Sequence, residues 1–263
     1  MSEADAARPV PLADVAASGF AAGARDYERG RPGYPDDAVA WLVEHLGIGP
    51  GRDVLDLAAG TGKLTRLLVP TGARLRAVEP VAAMREQFRL AVPEVAVVDG
   101  SADAIPVADA SLDAVTVAQA FHWFDRAEVV AELGRVLRPG GGLGLVFNER
   151  DTTEPWVAEL SRLIRWDERQ RWRVPYTVET DWAARLAELG GPFGPVHRYD
   201  TTHRQPVDPD TLVSRVLSTS YLAVRPPAEQ ADLAERVREL GAPLGERFDL
   251  PYVTVAYATR RET

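Results

Sequence analysis

Cysteine is absent from the 263 residues. That removes disulfides, thiolate metal sites and cysteine nucleophiles from the chemistry open to the chain. Long apolar runs are missing too: no stretch approaches the ~18 residues of a membrane span, so no membrane partner is expected. Basic residues are outnumbered, 30 Lys and Arg against 39 Asp and Glu, for a net charge of −9. A chain without a basic surplus is a poor match for nucleic acid, which needs a cationic face. The 4 histidines are scattered, with no H-E-x-x-H or paired-acid spacing, so no metal site is expected. The acidic start Met1-Ser2-Glu3-Ala4-Asp5 has no secretory pattern, and a cytoplasmic enzyme is the expectation. The rest is an ordinary globular composition, 46% hydrophobic and 26% charged, with enough chain for one α/β domain and additional covering elements.

What is present is organised around one stretch, residues 54–65. Val54-Leu55-Asp56-Leu57 reads as a buried parallel strand. Small residues follow, Ala58-Ala59-Gly60-Thr61-Gly62, and then the helical spacing Leu64, Leu67, Leu68. A strand, a tight turn and a helix start form the nucleotide-binding corner of an open α/β sheet. There the small residues let backbone approach a ligand, and the helix aims its free N–H groups at it. The dinucleotide fingerprint G-x-G-x-x-G fails at Thr65, and the phosphate loop fails at Leu57 and Leu64. Further strands are expected at 75–80, 95–98, 112–118, 143–147, 196–207 and 252–257, the last as an antiparallel edge strand. Glu79 ends the second strand about 20 residues beyond Gly60, the place from which a carboxylate accepts the ribose hydroxyls of a nucleoside.

Leu55-Asp56-Leu57-Ala58-Ala59-Gly60-Thr61-Gly62 resembles motif I (LDLGxGxG) of the class I S-adenosylmethionine (SAM) methyltransferases, with Ala58 in place of the first glycine. Four further strings point the same way: Tyr27…Arg31-Pro32-Gly33-Tyr34-Pro35, Gly100-Ser101-Ala102-Asp103-Ala104-Ile105-Pro106, Gln119-Ala120-Phe121-His122-Trp123-Phe124, and Leu137-Arg138-Pro139-Gly140-Gly141. Together they are similar to the methyltransferase type 11 group, among it the relatives of trans-aconitate methyltransferase. The resemblance implies SAM as cofactor and S-adenosylhomocysteine as product. It implies a cofactor site of Asp56, Ala58, Gly60, Gly62, Glu79, Pro80, Ser101, Ala102 and Gln119, with Ser101 standing where an aspartate is usual. Tyr27 and Arg31 are implied near the methionine carboxylate, in a segment that closes over the cofactor. His122, after the fourth strand, is the candidate proton acceptor, and Trp123 a substrate wall.

Beyond Asn148 the resemblance thins. Trp156 and Tyr221 are candidate substrate contacts, and Trp166, Trp172 and Tyr176 further aromatic walls. Arg162, Arg165, Arg169, Arg171 and Arg173 form a cluster able to pair with an anionic substrate. The expected architecture is a Rossmann-like seven-stranded mixed sheet over 1–263, with an N-terminal lid at 1–34 and a helical cap from elements within 150–190 and 207–245. The expected activity is methyl transfer to a small molecule, a carboxylic acid or a hydroxyl. A NAD-dependent oxidoreductase on the same corner and a non-catalytic SAM-binding protein remain as alternatives. Acceptor identity and oligomeric state stay open.

Overall fold

The computed structural model describes residues 27–166 and 178–262. Residues 1–26 of the expected lid, and with them Arg169, Arg171, Trp172, Arg173 and Tyr176, lie outside the described residues. Strands β1 (Asp53–Leu57), β2 (Arg74–Val78), β3 (Ala96–Val98), β4 (Leu112–Ala118), β5 (Leu137–Arg150), β6 (His197–Val207) and β7 (Phe248–Arg260) form one sheet. Its order is β3-β2-β1-β4-β5-β7-β6. The first five strands run parallel, and β7 lies antiparallel between β5 and β6. The expected seven-stranded mixed sheet is therefore present. The last strand, however, is not the edge: its apolar run Tyr252–Ala258 is buried on both sides, and the polar, alternating β6 takes the edge.

Period-two alternation sorts the strands onto two covered faces. Leu55, Leu57, Val115, Val117, Leu143, Leu145 and Phe147 pack with helices α4 (Ala127–Val136) and α6 (Trp182–Leu189). Val54, Ala114, Val146, Ala256 and Ala258 face α1 (Asp36–Leu46) and α2 (Thr65–Leu68). The close seat of α1 depends on Gly142 and Gly144, where a Cβ would meet Leu46 side-chain carbons at 2.8 and 2.7 Å. Helix α3 (Ala82–Ala91) covers β2 and β3 through Phe88. A separate cluster joins α5 (Pro155–Leu163), α7 (Pro209–Leu217) and α9 (Pro227–Gly241) to the ends of β6 and β7, with the short α8 (Ser220–Ala223) beside it.

Asp125, just before α4, leaves that helix uncapped; its carboxylate accepts from Arg185 Nε at 2.8 Å. The Arg138–Gly142 turn is a bulge within β5, between the Leu112–Leu137 and Ala114–Gly142 pairs. Asp208 does cap α7, accepting from Thr211 N at 2.6 Å.

Candidate active site

Strand order reverses between β1 and β4, and ligands of open α/β sheets bind in the crevice beyond the carboxyl ends at such a point. Here that crevice is a cleft of about 350 Å³ lined by Gly60, Glu79, Met84, Ala102, Gln119 and Trp123, among others. Each lining segment follows a different strand. After β1 the chain turns sharply, with Ala58 at φ 55° and Gly60 at φ 58°. A non-glycine residue in that region costs about 1–2 kcal/mol, so the turn at Ala58 is held by its surroundings: Ala59 N donates to the Val78 carbonyl at 3.1 Å. Gln119 shows the same strain after β4, at φ 58°, and its amide donates to the Asn148 carbonyl at 2.6 Å. Left-handed non-glycine residues at two adjacent strand ends mark this corner as a site rather than a plain crossover.

Glu79 is 5% exposed. Its Oε2 accepts from Gly60 N and its Oε1 from Val81 N, both at 2.9 Å. Burial raises its pKa, and those two backbone donors oppose the rise. Each oxygen keeps a further lone pair for an external donor. A Cβ on Gly60 would find nothing nearer than the Tyr27 ring at 4.0 Å, so the backbone here faces open space. Oriented N–H groups, a carboxylate beyond them and a cleft in the 300–1,000 Å³ range fit a nucleoside.

Of the site residues named from sequence, Tyr27, Ala58, Gly60, Glu79, Pro80, Ser101, Ala102, Gln119 and Trp123 line this cleft. Arg31 lines a smaller adjoining pocket with Tyr34, Lys63 and Asn148. Its guanidinium stacks on the Tyr27 ring at 5.0 Å and donates to the Ser218 carbonyl at 3.0 Å. Burial, and then the charge of Arg215, lower its pKa to about 10. Burial likewise raises Tyr27.

Other named residues sit elsewhere. Asp56 lies beneath the turn, accepting from Thr65 Oγ1 and Thr116 Oγ1 at 2.5 and 3.1 Å; burial pushes it up to about 6. Gly62 faces the core: a Cβ there would meet Val92 and Phe88 at 2.7 and 2.9 Å. His122 packs against Trp123 and Phe147, ring centroids 4.7 and 6.5 Å away, and is not among the cleft's lining residues. Trp156 stands edge-on to Phe248 in the second cluster. Tyr221 is buried there and donates to the Ile164 carbonyl at 3.0 Å. Arg162 is exposed and pairs with Glu159, and Arg165 is exposed, so neither described member of the arginine cluster reaches the cleft.

Sequence reasoning missed Glu28. Its carboxylate accepts from Thr61 Oγ1 and from Arg66 Nη2 at 2.7 Å, and its carbonyl accepts from Lys63 Nζ at 2.8 Å. Residues 27–34 are thereby tied to the β1 turn. On their other side Gly30 O accepts from Gln205, Gly33 O accepts from Asn148, and Arg31 donates to Ser218. Helix α7 presses so closely that a Cβ on Gly30 would lie 2.3 Å from Arg215 N. The signal was the tyrosine- and arginine-rich 27–35 string itself; its docking partners are too distant in sequence to read.

The sheet order and the site at its switch point define a class I methyltransferase fold. Residues 55–145 match the methyltransferase-domain family. The chain is 42% identical over 242 residues to an uncharacterized methyltransferase of Mycobacterium tuberculosis (strain ATCC 25618 / H37Rv), covering 90% of this chain and 92% of that one. It therefore belongs to this methyltransferase family. Among solved structures, a proposed type II methyltransferase of Anaeromyxobacter dehalogenans superposes with a TM-score of 0.59 at 29% identity, over 88% and 97% of the two chains. The geranyl diphosphate C-methyltransferase of Streptomyces coelicolor A3(2), solved with Mg2+, geranyl-S-thiolodiphosphate and S-adenosylhomocysteine, shares the fold at a TM-score of 0.51 and 15% identity, over 96% and 100%. No helix among the described residues is long and apolar enough to cross a membrane.

Proposed function

We propose that the protein uses SAM to methylate a small molecule at an oxygen, and that the whole chain acts as one unit in which residues 27–34 close the cofactor site. The observation that carries this reading is Glu79, buried at the end of β2 and already oriented by Gly60 N and Val81 N. Its remaining lone pairs would hold the ribose hydroxyls. The left-handed turn at Ala58–Gly60 would let the chain's backbone come close to the methionine end, Ser101 and Ala102 would flank the adenine, and Tyr27 with Arg31 would face the methionine carboxylate. When bound, SAM supplies an electrophilic methyl group, so the protein's own task is alignment and water exclusion. Trp123 and Phe124 supply an apolar wall for that.

The state of the acceptor follows from where bases lie. A hydroxyl acceptor needs a general base, and His122, behind Trp123, would serve only after turning into the cleft. A carboxylate is ionised at neutral pH and needs none. The arrangement therefore favours a carboxylic acid. Support for a nicotinamide oxidoreductase falls away, because the family is one of methyltransferases. Calorimetry with S-adenosylhomocysteine tests the cofactor assignment: the wild type should bind, and Glu79→Ala should bind about ten- to a hundredfold more weakly, through lost charge-assisted hydrogen bonds. Equal affinities would remove Glu79 from the ribose, and no binding by the wild type would end the SAM reading.

A further inference from the structure

Beyond the cleft, the carboxyl end of β5 and the facing helix α7 each bury one arginine, Arg150 and Arg215. Arg150 and Arg215 are 5% and 3% exposed. Among the described residues, Arg150 Nε, Nη1 and Nη2 have no hydrogen-bond partner, nor has Arg215 Nη1. Arg150 follows Val146 and Asn148 at period two, on the sheet face that residues 27–34 overlie through Gly33 and Asn148. It pairs across the sheet with Tyr252, whose hydroxyl accepts from Arg215 Nε at 2.9 Å. Tyr252 in turn donates to Gln205 at 3.2 Å, so the Arg215 fork is fixed in orientation. The Arg150 guanidinium lies over the Trp166 ring at 4.6 Å.

After burial, the strongest influences on Arg150 are Arg215, Tyr252, Tyr221 and Arg31, none of them a carboxylate, and its pKa falls to about 9. Removing guanidinium charge from water is costly, and the two cations repel each other. Ring faces return only part of that cost. Buried donors of this kind have the chemistry of an anion cradle: planar forks suited to carboxylate or phosphate, beside aromatic rings.

We propose that Arg150 and Arg215 form the subsite that grips an anionic group, a carboxylate, on the methyl acceptor, with Trp166, Tyr221 and Tyr252 around it. This rests on the methyl-transfer reading above and assigns the acceptor's recognition to residues that the exposed Arg162 and Arg165 cannot supply. Two carboxylates could occupy the cradle, the acceptor's or the cofactor's own, and the experiment separates them.

Melting temperature and calorimetry are measured for wild type, Arg150→Met, Arg150→Lys and Arg215→Met, with succinate, citrate, benzoate and inorganic phosphate. S-adenosylhomocysteine and 5′-methylthioadenosine, which lacks the carboxylate, form the second arm. At least one carboxylate should raise the wild-type melting temperature. Both methionine variants should weaken its binding about tenfold or more, Arg150→Lys should weaken it less, and S-adenosylhomocysteine affinity should stay within about twofold. Free Arg150→Met should melt at or above the wild-type temperature, since a buried unpaired charge is gone. The proposal is overturned if none of the three carboxylates stabilises the wild type, whether or not phosphate does, or if the variants keep that binding. It is equally overturned if Arg150→Met melts several degrees lower, or weakens S-adenosylhomocysteine but not 5′-methylthioadenosine. Failure of the wild type to bind S-adenosylhomocysteine at all would count against the cofactor reading, and the anion arm would still be read on its own.

Discussion

The two sides of residues 27–34 are built on opposite principles. Toward β1 and β2 the donors are backbone amides and short hydroxyl side chains: Gly60 N and Val81 N meet Glu79, and the Thr65 and Thr116 hydroxyls meet Asp56. Each buried carboxylate has its donors. Toward β5, β7 and α7 the site is side chain; among the described residues the Arg150 guanidinium has no acceptor and Arg215 leaves Nη1 without one. On the proposed reading, the side with its acids paired serves the cofactor, and the side with donors left over serves the acceptor. The first is made from turns, the second from long side chains.

The largest effect that could break this contrast comes from two neighbouring glycines. Gly60→Val should abolish measurable S-adenosylhomocysteine binding, because its Cβ enters the open space of the cleft at φ 58°. Carboxylate binding at Arg150 should survive in that variant. Gly62→Ala should do the reverse, lowering stability by roughly 2–4 kcal/mol through overlap with Val92 and Phe88 and a left-handed alanine, while folded protein keeps its affinity. Paired melting and calorimetric data check this; a Gly60→Val protein that binds normally would put the cofactor somewhere else.

Asp56 sharpens the comparison on the acidic side. Its folded-state pKa is about 6 against an ordinary 3.8. A carboxyl raised on folding stabilises the native state below its unfolded pKa, and that contribution is lost as pH rises through the folded value. Between about pH 4 and 6 the wild type should therefore lose up to about 3 kcal/mol relative to Asp56→Asn, at ~1.4 kcal/mol per unit. Denaturant titrations at several pH values test the sign, and parallel curves for the two proteins would contradict it. Glu28→Gln is expected to be the mildest. Its ion pair with Arg66 is partly exposed, so roughly 1 kcal/mol is at stake. Amide exchange in residues 27–31 should speed about fivefold, and unchanged exchange would show that the α7 side alone holds the segment.

The legibility of the chain follows the same division. Gly60, Glu79 and Ser101 could be read because each sits at a strand end within a short local pattern, where spacing alone fixes the geometry. Gly62 and Asp56 belong to that string yet face the core, since a turn presents only some of its residues to the cleft. The side toward β5, β7 and α7 was illegible for a topological reason. Arg150 and Arg215 are far apart in sequence and meet only because β7 inserts beside β5 and α7 follows β6. Arg162 and Arg165 drew notice through local density, which on a helix more often marks a solvated face. The edge position was misjudged for β7 because an antiparallel strand added late was expected outermost, whereas its apolar sequence already demanded cover on both sides.

Gly30 has a consequence for traffic through the site. Its backbone is pressed on α7 with no room for a side chain, while two residues earlier Glu28 is clasped by Thr61 and Arg66. On the proposed reading, residues 27–34 act as a single door with its latch on one room and its hinge on the other. On the proposed reaction, swinging it to let spent cofactor leave also disturbs Arg31 and the wall next to Arg215. Departure of one product and admission of the next acceptor then share one threshold, and neither room opens without moving the other's wall.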